Sequence, residues 1–535
     1  MIQKLSTKLC SHNGLSLYDV IESAVRATPR YKVVGLISEE PIITSKFDLV
    51  QDADGFTWSY LGSLTQPMVV SSETVPNDKE EWQAVVISSI TAKDRTSLGN
   101  TTITNVEVAA PSVKYTVNSA DGFTVGKYAL IHATNRLGLI YCGVYKVQEV
   151  GSDFIRVLQS NTAIHSGSPL GTVYASPLNT VLRSANGILV DGQVETIEGL
   201  VIDGLGRSKY GLRLGGLHSA KGYRPVGFVS LVHRVGVVNL NTTDGPNDDT
   251  VGFLAANGSV MGVNKIAVNT SKIGIEAYRN STIIGEGAFV SNCTNDAFKT
   301  EFTCNSYLLY CTAAACSGAG YSARYSAGGE FGTMVAIDCA YGAIAQFNAY
   351  TSVRDFYYLN CSVVGNYATD SSYLYQRGGL IKDSAVAMRV TQGSSMESAG
   401  TLSVDFIEEK GNAAGFDVQN SSLRHNTRKI VGDVPSDTWD GKNEVIVNNV
   451  NPGVSTQEVT TTINPGSRAA YVLDFPVAFP MSQAYKVICA DATLQSGLLV
   501  DAQPYSVGRA RLYINNVSSS PKELTNAKFL VKAIG

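Results

Sequence analysis

The stretch Lys265-Ile266-Ala267-Val268-Asn269-Thr270-Ser271-Lys272-Ile273-Gly274-Ile275-Glu276-Ala277 is answered by Ala288-Phe289-Val290-Ser291-Asn292-Cys293-Thr294-Asn295-Asp296-Ala297-Phe298-Lys299-Thr300. The pattern returns over Cys311 to Ala323, over Met334 to Gln346 and, with one residue fewer, over Tyr357 to Thr369. The position of Thr270 recurs as Cys293, Cys316, Cys339 and Cys361, at steps of 23, 23, 23 and 22. Four residues on stand Gly274, Ala297, Gly320, Ala343 and Gly365, and one residue before stand Asn269, Asn292, Ala315, Asp338 and Asn360. Repeats of this length, rich in β-branched residues, Gly and Asn, predict a solenoid whose coils each supply short strands. A helical repeat would need Leu- and Ala-rich runs of about ten residues, and none is present. The expected fold is therefore all-β, a parallel β-helix. Coils stacked ~4.8 Å apart would turn the cysteines into an internal, structural column and the asparagines into a hydrogen-bonded ladder at the turn.

Outward from the repeat, Leu200-Val201-Ile202-Asp203 leads to Gly211-Leu212-Arg213, and Val237-Val238-Asn239 leads to Gly252-Phe253-Leu254, so the helix is expected over 181–430. Two insertions, about 215–235 and 241–250, would gather on one face, where solenoids build binding sites. Residues 1–92 read as an N-terminal module with a short helix from Ser16 to Pro29 and a hairpin at Asp54-Gly55. Residues 93–180 read as a small β domain. After about 430 the repeat fades, and alternating runs such as Ala470-Tyr471-Val472-Leu473 and Phe529-Leu530-Val531-Lys532 predict a terminal β-sandwich over 431–535.

Composition narrows the function. Of 535 residues, 42 are basic and 46 acidic, with no long run of either sign, so nothing marks a nucleic-acid or anionic-membrane partner. No apolar stretch reaches the ~18 residues of a membrane span. The first ten residues have no apolar signal region, which predicts folding in a reducing cytoplasm. Nine cysteines and six scattered histidines form no zinc-like spacing, and P-loop, dinucleotide, H-E-x-x-H and G-x-S-x-G motifs are missing, so no cofactor or metal is expected.

Alternation out of the turn column turns Ile275, Phe298, Tyr321 and Ile344 inward. Two outward rows follow: Glu276, Lys299, Ser322 and Ala345, continued upstream by Arg213 and Leu254, then Tyr278, Glu301, Arg324 and Phe347. Glu301 and Glu276 are the candidate catalytic pair, with Arg324, Tyr278, Lys299 and Arg213, and Asp244 and Asp248 of an insertion, as candidate substrate contacts. The Glu276 and Glu301 Cα atoms would lie about 8 Å apart, which permits either glycosidase geometry. A pair of this kind needs one carboxyl to protonate the leaving oxygen and the other, ionised, to activate water or attack the sugar. The alternative reading is a solvated charge ladder, Glu276 to Lys299 and Glu301 to Arg324.

The segment Asp54-Gly55-Phe56-Thr57-Trp58-Ser59-Tyr60-Leu61-Gly62-Ser63-Leu64, then Val75-Pro76-Asn77 and Trp82-Gln83-Ala84-Val85, resembles the N-terminal module of many tailed-bacteriophage tailspikes. Beyond the first 85 residues the resemblance is one of architecture, to a tailspike polysaccharide depolymerase with a pectate-lyase-like right-handed β-helix. It implies a homotrimer on the virion tail that binds and cuts a host capsular polysaccharide or O-antigen. Its N-terminus would meet tail or baseplate proteins, and its C-terminal domain would serve trimerisation or carbohydrate binding. Insertion into a membrane is not implied. The family has no fixed catalytic motif, so no residue role is carried over from it.

Endo-glycosidic hydrolysis is the favoured reading. A polysaccharide lyase is the second, with Lys299 or Arg324 as base and Tyr278 assisting. A receptor-binding fibre without catalysis is the third, and a plant-wall enzyme the weakest.

Overall fold

The computed structural model describes residues 31–77, 79–91, 99–159, 164–215, 227–243, 250–398, 407–425, 428–431, 436–439, 445–447, 454–474, 484–489, 498–506 and 509–534. The expected N-terminal helix lies outside them. The described residues are β-strand, turn and short 3₁₀ segments, with no α-helix. The chain forms two compact units, residues 1–340 and 341–535.

In the first unit, Trp82–Val86 begins a stack of parallel strands. Ile188–Val190, Tyr210–Leu214, Val251–Ala256, Ile273–Tyr278, Phe298–Glu301 and Ala319–Arg324 follow in order. A second parallel stack runs from Thr180–Arg183 to Gly328–Ile337. The expected parallel β-helix is therefore present, and its inside is apolar: Ile275, Phe298, Tyr321, Phe331 and Val335 are buried. Phe298 and Tyr321 stack with centroids 4.9 Å apart, and the Tyr321 hydroxyl donates to the Val335 carbonyl at 3.1 Å, which satisfies its one polar atom.

The coil register matches expectation on one side of the turn and differs by a residue on the other. Ile275 faces Phe298 and Phe298 faces Tyr321, 23 residues apart as the repeat predicts. Before the turn, however, Ser271 faces Cys293 at a separation of 22, and its Oγ lies 3.2 Å from the Cys293 Sγ. The cysteine column thus continues through Ser271, correcting the expectation for Thr270. The extra residue lies between Cys293 and Phe298. Thr270, Asn292, Ala315 and Asp338 carry the left-handed turn (φ 71°, 57°, 53° and 52°), which explains the Asn and Asp preference. The Asn292 amide donates to Asn269 Oδ1 at 2.9 Å, the predicted ladder in its first rung.

Between Ile90–Thr91 and Thr180–Arg183 the chain leaves the solenoid and closes a six-stranded antiparallel barrel over residues 101–178. Thr101 pairs with Ala175, so the barrel's ends lie side by side. The barrel rests on the solenoid through the Thr312 hydroxyl, which donates to the Leu139 carbonyl at 2.7 Å, and the Asn269 amide, which donates to the Val144 carbonyl at 3.2 Å. N-terminal to the stack, buried Trp58 donates its indole N–H to Asp52 Oδ2 at 2.8 Å, and Asp52 Oδ1 accepts from the backbone of Asp54 and Phe56. Asp52, two residues before Asp54-Gly55, and Trp58 thereby tie together one hairpin, Asp48–Gln51 against Thr57–Tyr60.

In the second unit, parallel strands run from Tyr341–Gln346 to Ser436–Trp439 and from Tyr350–Leu359 to Val445–Val447, past residue 430 where the repeat becomes unreadable. Two three-stranded antiparallel sheets follow. Ala510, Leu512 and Ile514 of one, and Val459, Phe529 and Val531 of the other, bury alternate positions as the faces of a sandwich do.

Candidate functional site

Strand register places the candidate residues in the expected rows. Arg213, Leu254, Glu276, Lys299 and Ser322 form one column, and Tyr278, Glu301 and Arg324 form the other. Their neighbours Ala277, Thr300 and Ala323 are buried, and the Thr300 hydroxyl is bonded to Ser306 at 2.7 Å.

Lys299 joins the two carboxylates: its Nζ lies 3.4 Å from Glu276 Oε1 and 3.1 Å from Glu301 Oε1. Those two oxygens are thus at most about 6.5 Å apart, close enough for both carboxylates to reach one sugar unit. All three side chains are covered, with Glu276 3%, Lys299 7% and Glu301 6% exposed. This is neither the solvated ladder nor an open acid and base. It is an ion-paired triad, in which the lysine offsets two charges that burial would otherwise make costly.

Arg324 bonds Asp296 rather than completing a ladder to Glu301, through Nη2 to Oδ2 at 2.7 Å. Asp296 is buried and also accepts from the Ser322 hydroxyl at 3.0 Å and the Ala319 N–H at 2.8 Å. It sits in the stretch holding the extra residue between Cys293 and Phe298, the signal that could have singled it out. Arg213 stands two coils upstream of Glu276, its guanidinium 5.0 Å from the Tyr210 ring, with burial lowering its pKa. Asp244 and Asp248 lie outside the described residues.

The rows end at left-handed turns: Arg279-Asn280, Phe302-Thr303 and Tyr325-Ser326 all have positive φ. The turns stack, with the Asn280 N–H donating to the Phe302 carbonyl at 3.1 Å and the Thr303 N–H to that of Tyr325 at 3.3 Å. They aim aromatic rings at solvent. Phe302 and Tyr325 are 37% and 41% exposed and stack at 4.7 Å with planes 3° apart, while Tyr278 meets Phe302 edge-on at 5.3 Å. Phe302 was not among the expected contacts, although an aromatic directly after Glu301 that returns as Tyr325 is readable in the repeat. Exposed ring faces are disfavoured in water unless something covers them, and the flat apolar face of a pyranose suits them.

No protein-family model matches the sequence, and no curated protein matches it. Among solved structures, the fold is similar to that of the gp49 tailspike of Pseudomonas phage LKA1, at 11% identity over 84% of this chain and 83% of that one, with a TM-score of 0.36. It is similar to the Gp54 tailspike of Acinetobacter baumannii bacteriophage AP22, solved with an A. baumannii capsular saccharide, at 12% identity over 84% and 90%, with a TM-score of 0.33. It is also similar to a double mutant of the tailspike of E. coli bacteriophage HK620 in complex with a pentasaccharide, at 9% identity over 66% and 82%, with a TM-score of 0.25.

Proposed function

We propose that this chain is a phage tailspike that binds a bacterial surface polysaccharide along the Phe302 and Tyr325 ladder and hydrolyses it with Glu276 and Glu301. The observation that carries the reading is the exposed aromatic ladder whose first ring, Phe302, directly follows Glu301 at the end of its strand, the strand paired with that of Glu276. A sugar chain stacked on these rings lies one residue along the strand from Glu301. Substrate binding draws Lys299 off one carboxylate, which takes up a proton from solvent and then gives it to the leaving oxygen as the acid, while its ionised partner attacks the sugar or directs water. Both the double-displacement and the single-displacement course fit this reading, and the anomeric configuration of the products distinguishes them. Trimerisation and attachment to the virion through the N-terminus belong to the same reading, on the strength of the module resemblance.

One observation favours a second reading, binding without cleavage: Lys299 holds both carboxylates in an ion-paired, covered state. Incubating the chain with surface polysaccharides from a panel of bacterial strains decides between them. Hydrolysis yields shortened products without near-ultraviolet absorbance, and Glu301→Gln or Glu276→Gln slows their release by about 10²–10⁴-fold. Unsaturated products assign a lyase. Saturable binding with no shortening on any strain assigns the fibre and removes both glutamates from catalysis.

A further inference from the structure

A cleft of about 950 Å³ opens in the first unit between the barrel and the solenoid. One wall carries Lys127, Tyr128 and Lys146 from the barrel, and the other carries Asn239, Asn269 and Asn292 from successive turns of the solenoid, with Arg183 and Asp203 at one end. The hydrogen bonds to Leu139 and Val144 set the distance between the walls, so the space is preformed. Its size is at the upper end of ligand sites, about 300–1,000 Å³, which suits several linked sugar units better than one.

The lining has a definite chemistry. Three cationic residues, Lys127, Lys146 and Arg183, line the cleft together with a single carboxylate, Asp203. Asp203 is itself engaged, since its Oδ1 accepts from the Asn239 amide at 3.1 Å and from the Leu205 N–H at 3.1 Å. Burial pushes the Tyr128 phenol up to about 12, so it remains a neutral hydroxyl. Three cations against one carboxylate match an anionic ligand, and the second hydrogen of each asparagine amide, the first being given to Asp203, Val144 or Asn269, together with the Tyr128 hydroxyl suits its hydroxyl groups.

We propose that this cleft is a second, non-catalytic site that binds an acidic oligosaccharide, holding an anionic polymer away from the Glu276 and Glu301 face. The proposal rests on the reading of the chain as a polysaccharide-handling protein, and it adds an acidic substrate class. The probe is an array of purified bacterial surface polysaccharides, acidic and neutral, incubated with the full chain at low and high salt.

The expected result is preferential binding to acidic spots that weakens as salt rises. It falls at least tenfold in Lys146→Ala/Arg183→Ala and is kept by the charge-conserving Lys146→Arg/Arg183→Lys. Unchanged acidic binding in the alanine pair, or preference for neutral glycans, overturns the proposal. Unchanged binding in that pair together with loss in Phe302→Ala overturns the cleft alone and leaves the solenoid face standing. Failure to bind any glycan overturns both, and binding of polyglutamate without glycan would replace the saccharide by an acidic peptide.

Discussion

At the scale of single residues, the chain places charge where water is scarce and compensates it locally. Lys299→Met leaves Glu276 and Glu301 adjacent and covered without their shared cation, and removing one partner of a buried ion pair typically costs about 3–5 kcal/mol. A large drop in the urea midpoint of the first unit is expected, and a change below about 1 kcal/mol would show that the triad is better hydrated than its burial implies. His132 in the barrel is the opposite case, an uncharged group kept so by its surroundings. Burial, then the charges of Lys265, Arg234 and His233, push its imidazole down to about 3, while Asn100 and Ser176 lie 3.3 and 3.2 Å from its Nε2. An unfolded histidine takes its proton near pH 6.5. The stabilisation is therefore complete above that pH and is lost as pH falls from 6.5 towards 3, by roughly 2–3 kcal/mol at pH 4.5. Hydrogen-exchange protection factors over residues 129–133, taken against the intrinsic rate at each pH, should fall accordingly on acidification in the wild type, and less in His132→Gln.

At the scale of the element, the parallel stack tolerates change unequally. A Cβ on Gly274 would meet the Ala297 carbonyl oxygen at 2.5 Å and clash with Val290 Cγ1, so Gly274→Ala must push its packed neighbours apart. A loss of about 1–3 kcal/mol follows from overpacking, measurable as a lowered thermal midpoint with binding intact at low temperature. On the exposed edge the logic reverses. Phe302→Ala and Tyr325→Ala remove ring faces that touch solvent, so stability should hold while polysaccharide affinity drops roughly three- to tenfold each. Equal affinity by calorimetry would dismiss the ladder as a sugar platform.

Legibility in the sequence follows the same division. Ile275, Phe298 and Tyr321 could be aligned because inward positions are constrained by packing and repeat at constant spacing. Thr270 was misaligned with Cys293 because an added residue at a turn shifts the count without disturbing either strand. The rows of Glu276 and Glu301 were readable for the same reason as the core. The Lys299 clamp and the Arg324 to Asp296 bond were not, because side-chain partners depend on rotamers that periodicity does not encode.

At the scale of the whole molecule, strands that touch are far apart in the chain: Trp82–Val86 pairs with Ile188–Val190, across the entire barrel. Such non-local parallel pairing is slow to form, whereas the antiparallel barrel closes within its own segment. Pulse-labelling hydrogen exchange during refolding should show residues 128–133 protected before residues 82–86, and simultaneous protection would contradict independent closure.

The pairing of Thr101 with Ala175 carries a consequence for descent as well as for folding. Because the barrel leaves and rejoins the solenoid at neighbouring points, the interruption is topologically a plug in a socket. A recombination event that exchanged one such plug for another with adjacent ends would leave every coil in place. Lineages could then trade the inserted body while inheriting the solenoid unaltered.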